Sequence, residues 1–304
     1  MITKSLVLGE DVTIATAAYG NAATTRLCLD SLFRSATGSY ELILVDDCSP
    51  DAGAIRSLFL EAKGRHSNTR IFSFSKNLEY TGSVNAVLSH ATGQWVFFVS
   101  NDIFITPHYF RALFEAAREN PRLGILRGCS NFVDNGLPSH NLTPAVPVTS
   151  LQDVFNMGAE IAQRFGYTAE ADPFLVGDAF LVTRPVIERI GTFDPCFYGY
   201  FADQDYGLRA QIAGFGLALV RGAFAYHKQD ANFGYLPEQQ RQAKSGLRWM
   251  RVFENWARFK MKWGLPVALP YENIANLPWT QLAATPFDNR LHYSAAADYT
   301  QYLL

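Results

Sequence analysis

Cysteine is scarce in this chain. The four present, Cys28, Cys48, Cys129 and Cys196, are scattered, with no CxxC pair and no zinc spacing. That argues against a disulfide scaffold or a zinc ribbon and suits a reduced, cytoplasmic setting. Long hydrophobic runs are also missing. No stretch approaches the roughly 18 apolar residues that a spanning helix needs. The opening residues, MITKSLVLGEDVT, lack an apolar segment of signal-peptide length. The expectation is a soluble or peripheral protein. An excess of charge of one sign is absent as well: 26 Lys and Arg stand against 28 Asp and Glu. No global basic field therefore points to nucleic acid. Internal repeats and low-complexity tracts are lacking.

What is present is a large apolar fraction, 48% of 304 residues, enough for one large α/β domain or two smaller ones. Strand and helix patterns alternate through the first half. Strands are predicted at Val12–Ala18, Glu41–Val45, Arg70–Phe74, Gln94–Val99 and Gly124–Leu126. Helices are predicted at Thr24–Ala36, Ile55–Ala62 and Gly82–Ala91. Thr106 and Pro107 open a further helix as N-cap and first residue. Such alternation predicts a mainly parallel sheet with right-handed crossovers. From Asn131 to Pro173 the pattern weakens into a loop-rich insert with a helix near Leu151–Arg164. Order returns with a strand in Phe174–Thr183, a helix opened by Pro185, a helix over Asp205–Ala213 and a strand at Leu217–Val220. The chain ends in a long helix and an irregular tail.

The stretch Trp95–Val99 runs straight into Ser100-Asn101-Asp102. A short apolar run bounded by polar residues suits a central strand. Ligands of such sheets bind just beyond the strands' carboxyl ends. A carboxylate there can hold a divalent cation, and the cation a diphosphate. Taken alone, the tetrapeptide Val99-Ser100-Asn101-Asp102 favours a plainer reading, Asp102 as a cap on the next turn. Two further acidic sites follow the same logic. Val45-Asp46-Asp47-Cys48-Ser49-Pro50-Asp51 runs from a strand end into a turn, and Phe201-Ala202-Asp203-Gln204-Asp205 opens a helix. Asn77, Gly82 and Asn85 lie between the first two acidic sites. His227 follows the last strand after a short gap.

This order resembles the family 2 glycosyltransferases of the GT-A fold, over about residues 10–230. Thr13 to Tyr19 is similar to their first strand, with Gly20-Asn21 in place of a plain Asn. The VDDCSPD run resembles their "VDdgStD", and Asn77 to Asn85 their "NxGfsgaxN", with Glu79 where Gly is common. Ser100-Asn101-Asp102 sits at their DXD motif, with Ser for the usual Asp or Asn. Gly177-Asp178 through Arg184, Ile190 to Asp194, and Ala202 to Arg209 resemble later motifs, with Ala202 replacing a Glu.

The resemblance implies a Rossmann-like, nucleotide-diphospho-sugar transferase sheet flanked by helices, with a C-terminal helical tail. It implies residues 1–234 as the transferase domain, about 1–130 for the donor nucleotide and 131–234 for the acceptor, and 235–304 as an extension. It implies transfer from a UDP-, dTDP- or GDP-sugar to a glycan or lipid-linked acceptor, with inversion and with Mn2+ or Mg2+. Asp203 is then the general base. Ala17, Tyr19, Asp46, Asp47, Asn77, Gly82, Asn85 and Asn101 fall on the donor side. Gly177, Asp178 and Asp205 fall on the acceptor side, and Asp102 and His227 at the metal. Asp205 also stands four residues before Arg209 for a helix pair.

Two other readings stay open. One is a degenerate domain that binds a glycan or partner without turnover, to which Ser100 and Ala202 lend weight. The other is a sugar nucleotidylyltransferase, whose Gly-rich basic loop is not matched by Ala17 to Asn21. A dinucleotide-dependent dehydrogenase would need GxGxxG there, and it is absent. Arg241–Lys262 holds seven basic residues and one acid, and at helical spacing Lys244, Arg248, Arg251, Arg258 and Lys262 form a stripe beside Trp249, Val252, Phe253, Trp256, Phe259 and Trp263. The plainer reading is a helix packing its aromatics on the core with a solvated basic edge. The sharper one is peripheral contact with the inner face of a membrane.

Overall fold

A computed structural model describes residues 4–133, 136–143, 147–228 and 238–294, the side chains of 238–244 excepted. In chain order its strands and helices are β1 (Leu6–Leu8), β2 (Val12–Ala18), α1 (Ala22–Ser35), β3 (Ala36–Gly38), β4 (Glu41–Asp46), α2 (Ala52–Arg65), β5 (Thr69–Ser73), α3 (Glu79–His90), β6 (Trp95–Ser100), β7 (Ile103–Phe104), α4 (Pro107–Glu119), β8 (Leu123–Ser130), α5 (Leu151–Phe165), β9 (Ala169–Ala171), β10 (Ala179–Thr183), α6 (Arg184–Ile190), α7 (Ala202–Ile212), β11 (Gly216–His227), α8 (Glu238–Trp263) and α9 (Trp279–Ala283).

One sheet carries the order β5-β4-β2-β6-β10-β8-β11-β7, with β9 also on β11. Its first four strands are mutually parallel, as strand–helix alternation predicts. Beyond β6 the sheet becomes mixed. β10 runs antiparallel to both β6 and β8, while β11 is parallel to β8. The reason is local: the chain enters β10 from the loop-rich insert rather than from a crossover helix on the same side.

Residues of successive parity face opposite sides of the sheet. Ile14, Leu42, Leu44, Phe97 and Val99 pack one way, against Leu29, Leu32, Phe59, Phe110 and Leu113 of α1, α2 and α4. Ala15, Ile43, Val45, Val96 and Phe98 face the other way, against Val84 and Val87 of α3 and the C-terminal helices. Both faces are covered, which is why these strands read as continuous apolar runs. Thr106 caps α4 by accepting from the Tyr109 N–H, with Pro107 next, as the sequence predicts.

Two boundaries differ in ways that matter. α7 starts at Ala202, three residues before the predicted start, so Asp203 and Asp205 lie in its first turn, where the macrodipole favours carboxylates. β11 runs through a register shift between Val220 and Phe224 and continues to His227, so no gap precedes that histidine.

The boundary expected near residue 234 lies outside the described residues. α8 buries Val252, Trp256 and Phe259 in the same cluster as Phe197, Phe201 and Tyr206. Its basic stripe is drawn inward only at Lys262, while Arg251 stays exposed, as do Trp249 and Phe253 of the adjoining aromatic stripe. Arg251 pairs with Glu79, Arg258 with Glu254, and Lys262 with Asp194 and Asp205. The side chains of Arg241 and Lys244 lie outside the described residues. No helix among the described residues is long and apolar enough to cross a membrane.

Candidate active site

The carboxyl ends of β2, β4 and β6 lie in one row, because Ala18 pairs with Asp46 and Ala17 with Ser100. Of the four non-glycine residues with positive φ among the described residues, Asn21, Cys48 and Glu79 lie in the connections that leave β2, β4 and β5, and Phe201 immediately precedes α7. Each such residue costs on the order of 1 kcal/mol, and strain of this kind gathers where a loop must present its groups to a ligand. Glu79 is the plainest case. It opens α3 in the left-handed region where the resembled family often has Gly, and Asn77 Oδ1 receives its N–H at 2.8 Å.

On the donor side, Ala17 and the half-exposed Tyr19 lie at the end of β2. Asp46 braces the next turn, accepting from the Ser49 N–H at 2.9 Å, while Ser49 Oγ receives the Gly20 N–H. Asp47 Oδ1 accepts from the Leu78 N–H at 2.6 Å. Burial pushes the Asp47 carboxyl up to about 7, with the Glu79 charge adding to it against the hold of the backbone N–H groups. Gly82 lies in the first turns of α3, tight against Leu78.

Two of the donor-side residues are engaged inside the fold. Asn85 is buried and exchanges two hydrogen bonds with the Phe193 backbone, at 3.0 and 2.7 Å. Asn101 is buried, and its Nδ2 donates to Thr25 Oγ1 at 2.9 Å. Both fasten one element to another, Asn85 through backbone groups and Asn101 through a side-chain hydroxyl, because buried polar groups are paired.

At the end of β6, Asp102 Oδ2 lies 3.5 Å from His227 Nε2. Burial works against charge on the imidazole, but the hydrogen bond and charge of Asp102, with Asp178 behind, bring it up to about 9. Two ligands on neighbouring corners of an octahedral Mg2+ or Mn2+ site stand roughly 3 Å apart. The Asp102–His227 pair therefore fits such a cation with small adjustment. Among the described residues no group of three or more His, Cys, Asp or Glu converges to complete a cage. The other positions would fall to phosphate oxygens and water, which suits a metal that keeps much of its hydration.

Asp178 is held from behind by Arg127, whose Nη2 lies 3.0 Å from Oδ1. Arg127 is fully buried, and its Nη1 donates to the Val176 carbonyl at 2.8 Å. The Asp178 carbonyl accepts from the Ser100 N–H, which ties this segment to β6. One residue earlier, the Gly177 N–H donates to Asp203 Oδ2 at 2.8 Å, and the Tyr80 hydroxyl donates to the Gly177 carbonyl at 2.7 Å. A Cβ on Gly177 would collide with the Tyr80 hydroxyl and stand 2.9 Å from Asp203 Cβ. Asp203 keeps partial exposure. Burial pushes its carboxyl up to about 6, against backbone N–H groups of Gly177 and the α7 N-terminus, with the Asp178 charge adding to the rise.

Asp205 is likewise engaged inside the fold. It is wholly buried, with Oδ2 on Arg209 Nε at 2.8 Å and Oδ1 on Lys262 Nζ at 2.6 Å. It has no exposed surface to offer an acceptor. Arg127, Tyr80 and Asn131 are not marked as site residues by the sequence, and Lys262 is marked there only as part of the basic stripe. Of the first three, only Arg127 carried a signal, as a lone cation inside the apolar strand Leu123–Ser130.

The edge thus gathers the Asp102–His227 pair, an aspartate backed by Arg127 and a carboxylate that burial raises to about 6. The chain is 25% identical over 224 residues to an N-acetylglucosaminyl-diphospho-decaprenol L-rhamnosyltransferase of Mycobacterium tuberculosis, spanning 66% of this chain and 73% of the relative. It is 30% identical over 107 residues to the succinoglycan biosynthesis protein ExoO of Rhizobium meliloti, a match spanning 35% of this chain and only 30% of that relative. Among solved structures, the mannosyltransferase PcManGT of Pyrobaculum calidifontis, in complex with GDP-Man and Mn2+, superposes with a TM-score of 0.57 at 17% identity, over 90% of this chain and 73% of that one. S. aureus TarS 1–349 with UDP-GlcNAc gives 0.53 at 15% identity, over 74% and 61%. These structures share the GT-A fold. The family model for glycosyl transferase family 2 matches residues 13–191, more than half of the chain, from the first central strand to the turn that closes α6. On that match, the chain belongs to glycosyl transferase family 2.

Proposed function

We propose that this chain transfers a glycosyl group from a nucleoside diphosphate sugar to a hydroxyl of a glycan or lipid-linked acceptor, with inversion. The observation that carries this reading is the meeting of Asp102, His227 and Asp203 at one sheet edge, with Asp178 bearing electrostatically on both His227 and Asp203. The complexes of the structural neighbours with GDP-Man and with UDP-GlcNAc support a donor of this class. The rhamnosyltransferase relative, named for a lipid diphosphate, supports a lipid-linked acceptor.

We place the nucleobase at the ends of β2 and β4, beside Ala17, Tyr19 and Asp47. The diphosphate lies beyond β6, where Asp102 and His227 would hold Mn2+ or Mg2+. When bound, the cation supplies charge neutralisation that eases departure of the nucleoside diphosphate. Asp203 takes the proton of the acceptor hydroxyl as that oxygen bonds to the anomeric carbon and the bond to the diphosphate breaks. Attack opposite the leaving group inverts the configuration. Tyr80 and Gly177 hold Asp203 in place.

The test is a thermal-shift screen of UDP, dTDP and GDP with and without Mn2+. A ligand that binds only the folded state raises the melting temperature by mass action. Asp102→Ala should abolish the Mn2+-dependent part of the shift, and full retention would refute the metal assignment. Gly177→Ala should lower transfer more than it lowers nucleotide binding, since the new methyl pushes on Tyr80 and Asp203 rather than on the donor edge. Equal losses in both would count against Asp203 as the base.

Ser100 and Ala202 support a second reading, a binding domain without turnover. That reading predicts Mn2+-dependent nucleotide binding with no consumption of any sugar nucleotide over hours.

A further inference from the structure

We infer that Asn131 is a positioning residue for the His227 imidazole, fixing which ring nitrogen faces the cation. This rests on the reading that Asp102 and His227 hold that cation.

β8 and β11 pair in parallel up to Ser130 and Ala225. β8 then ends, and β11 runs on without that neighbour to His227. The Asn131 side chain takes the vacated place. Its Oδ1 accepts from the His227 N–H at 2.6 Å, and its Nδ2 donates to the His227 carbonyl at 3.0 Å. One amide thus satisfies both backbone groups of one residue, as a neighbouring strand would. On the other side His227 is paired with Ile103 of β7, and the Lys228 N–H donates to the Asp102 carbonyl at 2.9 Å. The His227 backbone is therefore gripped from both sides, and its register against Asp102 is set.

The ring is fixed from the same turn. His227 Nδ1 lies 3.0 Å from the Phe132 carbonyl. A carbonyl can only accept, so Nδ1 carries the hydrogen and Nε2 is left to face Asp102. The Phe132 carbonyl is itself anchored, since Ser130 Oγ donates to it at 2.6 Å and the Phe132 N–H donates back to Ser130 Oγ at 3.1 Å. The Phe132 ring lies 5.7 Å from the imidazole and restricts its rotation. Asn131 is the hinge of this unit. It joins the turn that carries the Phe132 carbonyl to the backbone that carries the ring. Outer partners that orient a ligating histidine in this way commonly govern affinity for the metal.

The experiment measures Mn2+ binding by the electron paramagnetic resonance of free Mn2+. The purified chain is titrated with UDP, dTDP or GDP held at fixed concentration. Asn131→Ala should weaken Mn2+ binding by roughly 10–100-fold. Asn131→Asp keeps the acceptor for the His227 N–H and loses the donor to its carbonyl, so it should fall between wild type and Asn131→Ala. His227→Ala is the reference. If His227→Ala leaves Mn2+ affinity unchanged, the cation reading itself has failed. If His227→Ala weakens binding while both Asn131 variants match wild type, the cation reading stands and this inference is overturned. A second measurement needs no variant at Asn131. Nitrogen-15 spectra of the wild-type ring, with Mg2+ and nucleotide, should show the hydrogen on Nδ1 and a bare Nε2. The opposite tautomer would refute the positioning role however well the variants fold.

Discussion

Asp203→Asn should lower glycosyl transfer by the roughly hundred-fold to ten-thousand-fold typical of a lost general base, while leaving Mn2+-dependent nucleotide binding as it was. The change is nearly isosteric. Asn still accepts from the Gly177 N–H through its carbonyl oxygen and still suits a helix N-terminus, so α7 keeps its start. What is removed is a group able to take a proton near neutral pH. The wild-type pH profile supplies the sign. Burial raises the carboxyl to about 6, and only its ionised form can accept a proton. Transfer should therefore fall as pH drops through about 6 and level off above it, and the Asn variant should lack that limb. Rates at saturating donor and acceptor, measured between pH 5 and pH 9 (a span of about two units either side of neutrality), test both statements. Near wild-type turnover in the variant would move the base to another residue, with Asp178 the nearest carboxylate in the electrostatic network.

Lys262→Met should destabilise the fold by about 3–5 kcal/mol, the range for removing one partner of a buried ion pair. Lys262 Nζ bridges Asp194 at 2.7 Å and Asp205 at 2.6 Å, and all three side chains are largely buried. Met keeps most of the aliphatic stem and its packing but leaves the two carboxylates facing each other with Arg209 alone to balance them. The pH dependence separates this from lost packing. Burial pushes the Asp194 carboxyl up, but the charge and hydrogen bond of Lys262 outweigh it, and its folded value lies below its unfolded one. Such a group contributes stability above its unfolded value, near 4, and loses it as pH falls through the folded value. In wild type, acid should therefore erode stability below about pH 4 through this site. Lys262→Met should lose that increment already at neutral pH, so the two proteins converge in stability as pH falls. Urea titrations at pH 7 and pH 2.5 (about one and a half units below the usual carboxylate value) measure the difference. A variant equally destabilised at both would show that stem packing, not charge, is what Lys262 supplies.

The sequence by itself determined the central sheet and the acidic edge. Alternating faces in Val12–Ala18, Glu41–Asp46 and Trp95–Ser100, bounded by turn residues, encode parallel strands because burial on both sides leaves few other options. A carboxylate just past such a strand is visible as residue type and position for Asp47 and Asp102, whereas Asp203, in the first turn of α7, is marked by the family resemblance. The tertiary structure alone decided which polar residues face the cleft. Asn85, Asn101 and Asp205 match the family pattern as well as Asp203 does, yet each is turned into the body of the protein. Each sits beside polar or charged groups that come at least in part from residues distant in sequence: Phe193 for Asn85, Thr25 for Asn101 and, besides the nearby Arg209, Lys262 for Asp205. No local pattern encodes a partner so far along the chain. The same holds for Asn131, whose amide finds His227 only because β8 ends one residue before it while β11 runs on.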